Sequence, residues 1–115
     1  MSDASVLLVA EVHGLVGREG ELRALLEDLA ASAREDPGCL SYYVAARLGD
    51  PGEHLIAANW RDEASLRAHY TTAGYRRYRD AVGELLARPS DVVVHHVADT
   101  VHARDPNPPD PGLLG

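Results

Sequence analysis

An α+β fold, with helices on one face of an antiparallel sheet, follows from three features of the sequence. Apolar residues alternate with period two in four segments and recur with helical period in the segments between them. Turn signals separate these segments: Asp36-Pro37-Gly38, Gly49-Asp50-Pro51-Gly52 and Arg88-Pro89-Ser90. The 115 residues are 45% apolar and 25% charged, an ordinary globular composition with length for one core.

The elements follow in order. Ser5 to His13 reads as a strand, with Val6, Leu8, Ala10 and Val12 on one face and Leu7, Val9 and Glu11 on the other. Glu19 to Arg34 reads as an amphipathic helix, because Leu22, Leu25, Leu26, Leu29 and Ala33 share a side. Cys39 to Leu48 and Glu53 to Arg61 read as two strands of a hairpin. Asp62 suits the N-cap of a helix from Glu63 to Tyr70. A further helix is expected from Tyr75 to Ala87, and a last strand, rich in valine, from Asp91 to His102.

The order strand–helix–strand–strand–helix–strand is the ferredoxin-like split βαβ arrangement, βαββαβ. Residues 1–102 form its single domain. Residues 103–115 are a Pro-rich tail, either a flexible end or an arm on a partner. The strands are apolar on both faces, while helices can cover only one. A homodimer joined face to face through its sheets is therefore expected.

Several functions are excluded. Net charge is −7, and the cluster Arg76, Arg77, Arg79 is followed at once by Asp80 and Glu84, so no nucleic-acid footprint is visible. All basic residues are Arg, which excludes a Schiff-base or P-loop lysine. No apolar run reaches the ~20 residues that would span a bilayer. No signal peptide is evident, and the lone Cys39 forms no intrachain disulfide, so a cytoplasmic protein is expected. The six His show no H-x-H or H-E-x-x-H spacing, so no metal site is expected.

Two segments carry a resemblance. Glu35-Asp36-Pro37-Gly38-Cys39-Leu40-Ser41-Tyr42-Tyr43 is similar to the E-x-P-G-C-x-x-Y opening of strand two in the antibiotic biosynthesis monooxygenase-like family. Asn59-Trp60-Arg61-Asp62-Glu63-Ala64-Ser65-Leu66-Arg67-Ala68-His69 is similar to its strand-to-helix segment, and Thr71 or Thr72 with Tyr75 to Tyr78 continues the match. The resemblance implies a dimeric α+β barrel with a pocket between sheet and helices in each subunit. It also implies O₂ chemistry on hydroquinones, anthrones or related phenols with no cofactor, in which the substrate supplies the electrons.

His69 is then the expected base, since imidazole titrates near neutrality; its structural alternative is a histidine that only satisfies the helix core. Trp60 is the other expected catalytic residue, a wall for a flat substrate, or else a core anchor. Tyr42, Tyr75 and Tyr78 would give a polar-edged aromatic pocket, or else fill space. Val12, Ile56 and Leu66 stand where some relatives carry Asn, Asn and Tyr, and Gly74 stands where many carry a second His. These departures disfavour haem cleavage and put one type of anthrone oxygenase in doubt. They leave the three positions as substrate contacts. Asn59 alternates away from Trp60 and should face the partner sheet. Three functions compete: a cofactor-independent monooxygenase, an isomerase or cyclase using the same base without O₂, and a dimer that binds a small aromatic ligand without turnover.

Overall fold

The computed structural model describes residues 4–103. The Pro-rich tail from Arg104 onward lies outside the described residues. The observed elements are β1 (Ser5–His13), α1 (Glu19–Arg34), β2 (Cys39–Arg47), β3 (Asp50–Trp60), α2 (Glu63–His69), α3 (Ala73–Val82), a 3-10 turn (Gly83–Leu85) and β4 (Asp91–Val97). The sheet order is β2-β3-β1-β4 with every neighbour antiparallel. This is the expected ferredoxin-like α+β fold.

The core lies between the helices and one sheet face. Val6, Leu8, Ala10 and Val12 of β1 point into it, with Ile56, Ala58 and Trp60 of β3. Leu22, Leu26 and Leu29 of α1 close it from above. Side chains cap the two short helices. Asp62 Oδ1 accepts from the Ser65 backbone N–H at 2.8 Å, and Thr72 Oγ1 accepts from Tyr75 N–H at 3.2 Å.

The expected boundaries shift at three places. The β2–β3 hairpin is tighter than expected: Arg47 pairs with Asp50 across Leu48-Gly49, so β3 begins at Asp50. Gly49 takes φ +80°, which only glycine adopts freely. The last helix starts at Ala73 because Thr72 caps it, and stops at Val82 instead of Ala87. Leu86 and Ala87 are drawn to the end of β1, where Leu86 bridges Gly14 and Ala87 N–H bonds His13 C=O at 2.8 Å. Strand β4 ends at Val97 instead of His102, because Val97 pairs with Ser5, the first residue of β1, and the ladder runs out.

The other sheet face is bare in the single chain. Leu55, Tyr43 and Val93 are 41%, 65% and 52% exposed there, beside half-buried Leu7 and Val9. Asn59 is on this face, as expected, and its Nδ2 donates to Ser41 Oγ at 2.8 Å. No helix among the described residues is long and apolar enough to cross a membrane.

One end of this face carries a cluster that the metal-ligand spacings did not show. His13 is 3% exposed. Its Nδ1 donates to Glu53 Oε2 at 2.7 Å and its Nε2 to Asp91 Oδ2 at 2.8 Å. Glu11 lies close by, and Arg88 Nη2 is 3.3 Å from Nδ1. Ionised carboxylates only accept, so the double contact needs an N–H on both ring nitrogens, the imidazolium. The Asp91 and Glu53 hydrogen bonds accordingly raise the His13 pKa above its ordinary value, against burial and Arg88.

A raised histidine pKa stabilises the fold below the unfolded value near 6.5 and loses that contribution as pH rises through the native value. The wild-type stability advantage over His13→Gln should therefore be full below about pH 6.5 and shrink as pH rises from there through the raised native value. Urea midpoints of both proteins across that window test it; a pH-independent difference would refute the assignment.

Candidate active site

The turn between α1 and β2 builds the site. Gly38 sits at φ +84°, and a Cβ there would overlap the Ser65 side chain, so the turn packs flat against the start of α2. Arg61 N–H bonds Gly38 C=O at 2.8 Å and locks the approach. That docking brings Asp36 to the far end of α2. Asp36 Oδ2 accepts from His69 Nδ1 at 2.7 Å, with the two side chains 13% and 4% exposed.

His69 lies within a ring of aromatics. Trp60 is 4.7 Å away between centroids, Tyr75 5.3 Å, Tyr70 5.8 Å and Tyr42 6.1 Å. Beside this ring is a cavity of about 210 Å³ between sheet and helices. His69, Trp60, Tyr42, Tyr75, Tyr78, Ile56, Leu66 and Val12 all line it, so the structure brings every expected site residue to one place.

Two polar features bear on chemistry. With Nδ1–H engaged by Asp36, the neutral His69 ring carries its lone pair on Nε2. That atom makes no protein hydrogen bond, and it is not among the buried unpaired side-chain atoms of the described residues, so it reaches the cavity. Those unpaired atoms are His54 Nδ1 and Trp60 Nε1. Trp60 is fully buried and its indole N–H has no partner, a desolvation cost that the fold carries. Tyr42 and Tyr78 stay protonated. Burial, reinforced by the neighbouring tyrosines, pushes the Tyr42 hydroxyl far above its usual range. Burial pushes Tyr78 up to about 12, partly offset by Ser90.

Comparison with known proteins identifies the family. The sequence profile described as "Antibiotic biosynthesis monooxygenase" matches residues 5–81. The chain belongs to the antibiotic biosynthesis monooxygenase family. A Mycobacterium tuberculosis protein named "Putative monooxygenase Rv0793" is 40% identical over 75 residues, 64% of this chain and 71% of its own. The solved structure of Rv0793 superposes with a TM-score of 0.80, covering 86% of this chain and 100% of that one. Bacillus subtilis "Putative monooxygenase YcnE" is 25% identical over 88 residues, 76% of this chain and 93% of its own. PA3566 of Pseudomonas aeruginosa shares the fold, with a TM-score of 0.79, 23% identity and coverage of 86% and 99%.

Within this family member, Gly74 has a local reason. A Cβ there would overlap the Ser32 side chain of α1, so the helices touch where a second His would have to fit. The sequence reading missed Asp36 as a partner, because it registered only as a turn residue. It also missed Tyr70, Arg79 and Ser90 in the lining. The proximity of Tyr70 to His69 in sequence was an available signal; nothing local marked Ser90.

Asp36→Ala should leave the buried His69 Nδ1–H unpaired and destabilise the fold by about 1–3 kcal/mol. Long-range ¹H–¹⁵N spectra should show neutral His69 as the Nδ1–H tautomer in the wild type, with that preference lost in the variant. A mixed tautomer in the wild type would refute the pairing.

Proposed function

We propose that this cavity is the active site of a cofactor-independent monooxygenase that oxidises a small hydroquinone or phenol with O₂. The observation that carries the reading is His69, held by Asp36 with Nε2 free, inside an apolar cavity edged by tyrosine hydroxyls. Nε2 takes the phenolic proton, and Asp36 steadies the imidazolium that results. The phenolate gives one electron to O₂. The resulting semiquinone and superoxide combine in a C–O bond, and protonation gives a ring hydroperoxide. Loss of the proton on that carbon breaks the O–O bond and releases water, leaving a new carbonyl. The balance is one quinol and one O₂ to one hydroxyquinone and one water. Trp60 supplies the wall against which the ring stacks.

Cavity size narrows the substrate class. A closed cavity of ~150 Å³ takes benzene. The cavity here, about 210 Å³ and open to solvent on one side, has room for a single phenolic ring, and a polycyclic phenol or anthrone would extend from its mouth. The reading places the protein in the cytoplasm, consistent with its single, half-buried Cys39.

O₂ uptake by metal-stripped protein with simple hydroquinones tests the mechanism. His69→Ala should lower the protein-dependent rate by about 10²-fold or more. Unchanged uptake in the variant would remove His69 from the chemistry. Anaerobic turnover would replace oxygenation with isomerisation, and saturable binding with no product would make the protein a carrier.

The same reading makes the protein a homodimer through the bare sheet face, where Tyr43, Leu55 and Val93 stand exposed beside Leu7 and Val9. Val93→Glu would bury unpaired charge in that contact. Light scattering should show a dimer in the wild type and a monomer in the variant; a monomeric wild type would overturn the assignment.

A further inference from the structure

The cavity lining is apolar and aromatic except at one place. Arg79 of α3 and Ser90, just before β4, stand there beside Tyr78. Arg79 is the one permanently charged side chain in the described lining. Its guanidinium is nearly unengaged: it makes two 3.4 Å approaches to Asp80, the next residue, and both side chains are more than half exposed. Pairs of this kind contribute little. Arg77 on the same helix is different. It meets Asp28 of α1 at 3.2 Å and does not line the cavity.

The sheet register separates two levels of the lining. Trp60, which packs on His69, pairs with Val6, whereas Val92 of the lining pairs with Ala10. Four residues of strand separate the two levels by about 13 Å. On α3, Tyr75 touches His69 and Arg79 follows one turn later, about 6 Å along the axis. The His69 side chain is buried and that of Arg79 more than half exposed, so the proton acceptor lies toward the deep end and the guanidinium toward the mouth. A ring carrying a short acidic side chain reaches both, given the flexible Arg79 stem.

We propose that the site selects an anionic substrate: a phenol or hydroquinone bearing a carboxylate. The phenolic oxygen meets His69 Nε2, the ring lies against Trp60 and Tyr75, and the carboxylate bonds Arg79 with help from the Ser90 hydroxyl. Arginine suits this role because its planar fork matches a carboxylate. The net charge of −7 opposes anion binding in general, so any preference for the acid must arise locally. The inference rests on the reading that the cavity holds a phenolic ring at His69.

Trp60 is the single tryptophan and forms part of the wall, so its fluorescence reports binding. The probes are a hydroquinone with an acetic acid side chain and its methyl ester, titrated without O₂. The acid should bind about fivefold tighter than the ester, and salt should reduce the difference. The preference should vanish in Arg79→Gln and persist in Arg77→Gln. Equal binding of acid and ester, a preference surviving Arg79→Gln, or no binding of either probe would each overturn the proposal. The oxygenase reading fails separately. Acid preference with no O₂ uptake refutes oxygenation and leaves the anion site standing. Uptake with equal kcat/KM for acid and ester does the reverse.

Discussion

Asp36, Pro37 and Gly38 do three jobs in three residues. They end α1, start β2 and dock against the first turn of α2. The docking needs Gly38, because its backbone conformation and the nearness of Ser65 leave no space for a side chain. The Arg61 N–H to Gly38 C=O bond then ties the turn to the end of β3. With the turn fixed, Asp36 reaches His69 across the short span of α2, and the ring that lies against Trp60 acquires a defined orientation. A looser turn would leave the imidazole free to rotate and its lone pair without a fixed direction.

Much of this was legible in the sequence, and the reasons are physical. Alternation and helical periodicity report which side chains are buried, so the four strands, α1 and the inward-facing residues could be read directly. His69, Trp60 and the tyrosines were legible through their types and the motifs around them. What failed to show was pairing across the chain. Asp36 and His69 are 33 residues apart, and His13 and Asp91 are 78 apart. Neither spacing follows a local rule, because only the folded topology brings these residues together. The element ends were missed for a related reason. Leu86 and Ala87 have helical neighbours, but an open end of β1 competes for their backbone groups and wins.

The two faces of the sheet divide the labour. One face carries the helices and the cavity. The other keeps apolar side chains in solvent within a single chain, which is costly unless something covers it. The buried His13, tied to Glu53 and Asp91, joins β1, β3 and β4 at one end of that open face. Its charge is compensated by the two carboxylates, so it braces the sheet edge without a bare ion in the apolar patch.

The cavity itself argues for use. A small domain has little stability to spare, and interiors normally close to near-crystalline packing. Larger side chains at Val12, Ala10 or Val92 would fill the space, and a partner for the Trp60 N–H would remove an unsatisfied donor. The chain retains the opening and lines it with tyrosines and a histidine fixed by a carboxylate. Structural packing alone gives no reason for that combination. A ligand with an aromatic ring and a phenolic oxygen would fill the void and meet the imidazole at once.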